Sequence, residues 1–493
     1  MTTITAQPRW TVPGPRPFPI IGRPAMVLRF ATDSIGVSRS LFQTYGPVVS
    51  LTAGGGTNVY SPLPNCPGTV LTYGPEYVFQ VTSQHEIYYK YPLSGRLYSK
   101  RNDSTRTEPL KHFAAGLFGV NSLTHRQHRQ LLMPAFHKQR IDAYRDDIVA
   151  ITQSVLKQLP INQPTNIAEV MRLLTLRVAT KTLFGCDLGE EGGRIGRILL
   201  EAFALEGSVG VFLLPFDLPG LPYHQLLNLM AQVDDQMRVL IQRKRASGTD
   251  DGDVLSMLIQ ARDAESGVSL TEDELLGHVG AIFAAGHETS ANALTWTLFL
   301  LSQHPEVAAD LLDDLQSVLH GEAPTVEQLQ QLPLLERVIK ESMRVLSPIP
   351  WNGRVTSQPT ELGGYTLPAG TEVFVNIYQT HHMPEVYPEP ERFHPQRWEG
   401  FEPTMFEYNP FSAGSRICIG AGFAMLTIKI VVAMLLQKYR LQYLSQQSVE
   451  RSGFIVITPK HGMPMILHKQ DRQFTQGVGG VRGNIREMVQ LPA

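Results

Sequence analysis

Ten residues, Phe411-Ser412-Ala413-Gly414-Ser415-Arg416-Ile417-Cys418-Ile419-Gly420, constrain this chain more than any other stretch of it. They set a cysteine in a glycine-flanked loop, two residues after an arginine and directly ahead of an apolar, helix-like run from Ala421 to Leu436. A thiolate is favoured at a helix N-terminus, where free backbone N–H groups and the helix dipole meet the negative charge. Such a cysteine is placed to hold a metal such as iron. The competing reading is a buried free cysteine in a turn.

Length alone, at 493 residues, suggests about three domains. The continuous helical patterning points instead to one large domain over 1–468, led in by a proline-rich run (about 8–24) and followed by a tail, 469–493, with no assigned role. With 43 basic and 45 acidic side chains the charge is near balance, which excludes a strong field for nucleic acid or an anionic membrane. The three cysteines, Cys66, Cys186 and Cys418, are odd in number and widely spaced. That argues against a disulfide framework and for a reducing, cytoplasmic setting. No C-x-x-C or paired Cys/His spacing supports zinc. The N-terminal stretch shows neither a basic-plus-apolar leader nor a spanning segment, so a soluble protein without a transmembrane anchor is expected.

Val48 to Leu51 and Asn58 to Tyr60 read as a hairpin around Ala53-Gly54-Gly55-Gly56, with a further strand at Thr69 to Leu71. Ser122 to about Leu319 reads as mostly helical, and Glu361 to Tyr378 as strand-like. Gly207 to Tyr223 is apolar but broken by three prolines, which predicts a loop. Leu275 to Ser302 is long enough to span a bilayer, but Gly286-His287-Glu288-Thr289 at its midpoint makes a buried functional helix the better reading. Ile282, Ala285, Gly286, Thr289 and Ala293 fall on one face of it, small residues around one hydroxyl, where a flat cofactor could approach. Glu341-Ser342-Met343-Arg344 puts a carboxylate and a guanidinium at i, i+3, and Pro390-Glu391-Arg392-Phe393 follows about fifty residues later.

Together these motifs, F-x-x-G-x-R-x-C-x-G, small-Gly-x-acid-Thr and E-x-x-R with P-E-R-F, resemble those of the cytochrome P-450 family, in the family's order and over about residues 10–468. The resemblance implies a mainly α fold with a small β-rich region. It implies haem b ligated by the Cys418 thiolate, and the absence of C-x-x-C-H at Cys418 argues against a covalently attached c-type haem. By family position, Arg416, Arg354, Arg129 and His125 would meet the haem carboxylates, with Ala285, Phe411 and Gly420 against the cofactor. Thr289 would hydrogen-bond dioxygen and Glu288 would relay protons. Glu341, Arg344 and Arg392 would form the family's structural triad. Substrate contacts would come from Leu117, Phe118, Phe212, Ile282, Ile349, Trp351 and Phe454.

The implied activity is monooxygenation, one oxygen atom of dioxygen entering a lipophilic substrate such as a fatty acid, terpenoid or polyketide. No electron-transfer domain is visible in the sequence, so the donor should be external, an acidic ferredoxin or flavodoxin docking on Arg126, Arg397, Lys429 and Lys438. Two rivals stay open: a haem-thiolate peroxygenase or isomerase, and a haem-binding sensor without turnover. Retention of Glu288 and Thr289 favours the monooxygenase.

Overall fold

The longest apolar run of the sequence becomes a 32-residue helix, Glu272–Gln303, through the middle of the core. Thr271 caps it in a reciprocal box with Glu274, and three acidic residues in its first turn complement the helix dipole. The computed structural model describes residues 10–18, 22–92, 95, 97, 104–185, 191–208, 210–211, 214–249, 251–262, 267 and 269–493.

Eight helices carry the argument and are numbered in chain order: α1 (Gly22–Thr32), α2 (Glu108–Ala114), α3 (Ser122–Leu132), α4 (Ile167–Phe184), α5 (Pro222–Ser247), α6 (Glu272–Gln303), α7 (Pro333–Val345) and α8 (Ala421–Lys438). α6 packs on α4, α2, α7 and α8. Glycines set how closely: a Cβ on Gly277 would meet the Gly116 amide nitrogen at 2.4 Å, and one on Gly280 would meet the Phe113 ring at 2.0 Å. By length and composition α8 could cross a membrane, but Leu426 and the run Ile430 to Leu436 are buried in the same core as α6.

The fold is mainly α with small sheets, as the motifs implied. The largest sheet runs β1 (Val48–Ser50), β2 (Thr69–Thr72), β5 (Glu372–Asn376), β4 (Trp351–Thr356), β3 (Tyr88–Tyr89), with only the β2–β5 pair parallel. The hairpin read from the sequence does not form. Val48–Ser50 pairs with Thr69–Thr72 instead, and Asn58–Tyr60 is not a strand. The reason is the buried Glu372, whose carboxylate accepts from the amides of Val59 (2.8 Å), Tyr60 (2.6 Å) and Ser61 (2.6 Å) and from the Thr69 hydroxyl (2.6 Å). Donors spent on a carboxylate are not available to a strand partner. Glu361 to Tyr378 is strand only in part, since Ile377–His381 turns helical behind the Asn376 cap.

The segment after Lys469, which the sequence left without a role, packs into the main core through Val481, Ile485, Met488, Val489 and Leu491. It is tied at several points. Arg440 pairs with Asp471 (2.6 Å), the Gln490 amide donates to the Glu391 carbonyl (2.7 Å), and His382 Nε2 lies 3.1 Å from the Met488 carbonyl.

Candidate cofactor and catalytic site

Cys418 sits where its sequence demands. Its amide donates to the Phe411 carbonyl (2.8 Å), Gly414–Arg416 makes a single 3-10 turn, and Gly420 leads straight into α8. Gly414 has φ +66°, and a Cβ there would strike the Thr82 carbonyl oxygen at 2.4 Å, so the loop lies flush on the helix Pro75–Ser83 only because that residue is glycine. Cys418 is exposed, yet it lies deep enough that burial raises its thiol above the ordinary value, against the Gly420 amide, Arg129 and Lys90. An exposed sulfur at that depth marks the wall of an internal slot. Bound to a cation it would be deprotonated outright.

Four cations gather on this slot. Burial, then Arg354 and Arg416, brings the Lys90 ammonium down to about 7. Burial, then Arg354 and Arg129, brings Arg416 down to about 9. Arg354 is 1% exposed and falls to about 10 through burial. Its Nη1 donates to the Gly353 carbonyl (2.8 Å) and to Asn352 Oδ1, while its Nη2 is buried with no partner among the described residues. Burial also lowers Arg129. His125, buried beside Arg416, Arg129 and Arg354, is held near 3 by burial and those charges, so it is a neutral N–H donor at pH 7. No carboxylate pairs with Lys90, Arg354 or Arg416 among the described residues. Such a set is costly unless an anion enters it. The two carboxylates of haem meet that requirement, and the open sulfur meets the iron, so the residues present fit the cofactor.

Lys90 was missed from the sequence. It lies in the tyrosine-rich run Ile87-Tyr88-Tyr89-Lys90-Tyr91, and only the pairing of β3 with β4, which carries Arg354, brings it to the site. Arg416 is also not the free fork its motif position suggested. It donates to the carbonyls of Leu117 (2.9 Å) and Val120 (2.6 Å) and to Asn121 Oδ1 (2.7 Å).

On α6, Thr289 is half-buried and its hydroxyl donates to the Ala285 carbonyl (2.6 Å). The adjacent Glu288 is also half-buried, and burial raises its carboxyl, opposed by Arg172 of α4. Its carboxylate has no hydrogen-bond partner among the described residues. Ala285 and Ile282 are half-buried on the same face, and the α6–α8 packing brings this helix to the segment that follows Cys418.

The triad is half as read. Glu341 and Arg344 are fully buried and joined by two bonds, 2.9 and 2.8 Å. Arg392 is not the third member. Its guanidinium is about half exposed and pairs with Glu389 (3.1 Å), and only its backbone carbonyl reaches Arg344 (3.1 Å). Arg397 takes the place, 8% exposed, with Nε 3.1 Å from Glu341 Oε1. The Trp398 indole (3.0 Å) and the His394 amide (3.0 Å) complete the shell. Burial alone would raise Glu341, but these partners outweigh it and hold the carboxyl below its ordinary value. The 3-10 turn Pro395–Trp398 points Arg397 and Trp398 inward, whereas the P-E-R-F letters lie a few residues too early.

Of the substrate residues, Leu117, Ile282 and Ile349 are half-buried and Phe118 is 38% exposed under the Lys90 ammonium, 4.8 Å from its ring centroid. Trp351, 7% exposed, and Phe454 instead join Phe30 of α1 and Phe374 in an edge-to-face aromatic cluster with centroids 5.2 to 6.0 Å apart. Both are packing residues beneath the sheet rather than free pocket walls. Phe212 lies outside the described residues, while its neighbours Leu214, Phe216 and Leu218 are exposed, as a proline-broken loop requires. The docking cations are reduced too. Arg397 is spent on Glu341, and Lys429 shares Glu336 with Lys340. Arg126 and Lys438 remain exposed.

The cytochrome P450 family model matches residues 12–464. The cyclooctat-9-en-7-ol 5-monooxygenase of Streptomyces melanosporofaciens is 34% identical over 327 residues, covering 64% of this chain and 71% of that protein. The cyclooctatin synthase of the same organism is 31% identical, covering 68% and 75%. Among solved structures, retinoic acid bound cyanobacterial CYP120A1 superposes with a TM-score of 0.79 at 23% identity, over 94% of this chain and 99% of that one.

Proposed function

The chain belongs to the cytochrome P450 family, and from that premise we propose a terpenoid monooxygenase served by a separate, acidic electron donor in the cytoplasm. That it is a haem-thiolate monooxygenase follows from the family and its relatives. The observation that carries the site is the deep, open Cys418 sulfur beside a cluster of cations with no carboxylate partner among the described residues. Haem bound by a cysteine thiolate activates dioxygen, so that one oxygen atom enters a C–H or C=C bond and the other leaves as water.

The chain's own residues do the rest. Arg129, Arg354, Arg416 and Lys90, with neutral His125, would hold the carboxylates of the cofactor. Glu288, raised by burial, keeps a proton at a higher pH than a surface carboxylate would and delivers it into the slot. Thr289 has committed its hydrogen to Ala285, so its oxygen would offer an acceptor to a water that takes the Glu288 proton into the slot. Leu117, Phe118, Ile282 and Ile349 give an apolar wall that orients the substrate and excludes bulk water.

By their names, one relative is a monooxygenase of cyclooctat-9-en-7-ol and another a synthase of cyclooctatin, which supports a polycyclic, terpenoid-like substrate over a fatty acid here. Spectral titration with terpenoid alcohols and with fatty acids, then turnover with a surrogate ferredoxin and its reductase, tests this. The reading requires tighter binding of the terpenoid and a product heavier by one oxygen atom. Exclusive binding of fatty acids would overturn the substrate class. For the donor, Arg126 and Lys438 are the cations left for an acidic partner. Reduction should slow as salt rises and slow again in Arg126→Glu. A salt-independent rate would contradict this docking.

A further inference from the structure

The segment 116–121 carries Leu117 and Phe118 towards the pocket, and it is held in an unusual way. At one end Gly116 touches α6, where a Cβ on it would meet the Gly277 carbonyl oxygen at 2.1 Å. In its middle the Leu117 and Val120 carbonyls accept from the Arg416 guanidinium, at 2.9 and 2.6 Å. At the other end stands Asn121. Its Oδ1 accepts from Arg416 Nη2 (2.7 Å) and from the Lys90 amide (2.8 Å), while its Nδ2 donates to the Lys90 carbonyl (2.8 Å). The next residue, Ser122, has φ +50°, a left-handed backbone that points the asparagine back into this node.

One amide therefore fastens three separate segments: the stretch just after β3 that bears Lys90, the substrate-facing loop, and the loop that bears Cys418. An amide is suited to this because it both donates and accepts. A carboxylate could keep the two bonds at Oδ1 but could not donate to the Lys90 carbonyl.

We propose that Asn121 is a positioning residue that makes the substrate-facing loop and the cysteine loop one mechanical unit, so that displacement of Leu117 and Phe118 is felt at Arg416. The proposal goes beyond the monooxygenase reading, and only its haem arm rests on that reading.

The test compares wild type, Asn121→Ala and Asn121→Asp by hydrogen exchange on the full chain and by haem transfer to apomyoglobin. In Asn121→Ala the amides of Lys90, of 116–121 and of 414–418 should all exchange faster, by roughly tenfold, and haem should leave faster by a similar factor. Asn121→Asp should restore slow exchange at 414–418 and slow haem loss, while the backbone at Lys90, just after β3, stays loosened. If Asn121→Ala quickens exchange in 116–121 alone, or if Asn121→Asp behaves as Asn121→Ala throughout, the link through Arg416 is wrong. Should the protein take up no haem, the exchange arm decides the question unaided. A melting temperature close to wild type in Asn121→Ala separates loosening from unfolding.

Discussion

Replacing Arg397 and replacing Arg392 should have very different consequences, although the two arginines are five residues apart in the same run. Arg397→Ala leaves the Glu341 carboxylate buried beside Arg344 but without its second guanidinium, and removes donors from the carbonyls of Pro388 (2.6 Å) and Glu389 (3.2 Å). Breaking a buried charge pair by deleting one partner costs about 3–5 kcal/mol. That lowers the folded-to-unfolded ratio by two to more than three orders of magnitude, at ~1.4 kcal/mol for each tenfold. Arg392→Ala removes one exposed pair with Glu389, worth about 0–1 kcal/mol. Urea unfolding of the holoprotein, followed by the haem band and by far-ultraviolet dichroism, reads both. Arg397→Lys should recover only part of the loss, because an ammonium can face Glu341 but not also fork to the carbonyls.

The pH dependence has a definite sign. Glu341 is held below its ordinary value, so its contribution is complete above about pH 4.3 and fades as pH falls through the folded value. The gap between wild type and Arg397→Ala should therefore be full at pH 7 and narrow in acid. Equal midpoints for the Arg392 and Arg397 variants would refute the reasoning. So would a gap that widens in acid.

Met488 is fully buried in the segment after Lys469, and Met488→Ala should cost about 2–5 kcal/mol in the same unfolding assay. A loss under ~1 kcal/mol would mean that this segment is not part of the cooperative core. Gly277→Ala drives a Cβ to within 2.4 Å of the Gly116 amide, and should cost on the order of 1–3 kcal/mol or quicken exchange throughout 116–121; neither change would contradict the close packing of α6. Glu288→Gln keeps the shape but not the proton, and should lower turnover by roughly a hundredfold with a larger solvent isotope effect and unchanged substrate binding. Turnover within twofold of wild type would remove Glu288 from proton delivery.

The cysteine loop, the mid-helix acid and hydroxyl, and the Glu341–Arg344 pair were all legible because each is local in sequence. A loop at a helix N-terminus, a turn of helix and an i, i+3 pair need no tertiary contact to be recognised. What the sequence hid depends on contacts between distant segments. Lys90 reaches the site through the β3–β4 pairing and its two backbone bonds to Asn121, and Asn121 matters only where Arg416 arrives from 295 residues away. The Arg392 error has a similar origin. Two arginines five residues apart look alike in sequence, and the turn at Pro395–Trp398 selects which one faces Glu341. The misplaced hairpin failed because a buried carboxylate, Glu372, claimed the amides that a strand would have used. In the segment after Lys469, Val481, Ile485, Met488 and Val489 do stand at i, i+4, i+7 and i+8, the spacing of one helical face. Gly477, Gly479, Gly480 and Gly483 break the run and only the 3-10 turn Asn484–Glu487 forms, so the spacing was a signal that the glycines masked.

The measurement that bears most directly on the central claim is the carbon monoxide difference spectrum of the dithionite-reduced protein, taken on wild type, Cys418→Ser and Cys66→Ser. A strongly red-shifted Soret band in wild type and Cys66→Ser, lost in Cys418→Ser, is the predicted result. A band at the position of histidine-ligated or thiol-ligated haem in wild type, or one that survives Cys418→Ser, would contradict the assignment of Cys418 as the thiolate ligand.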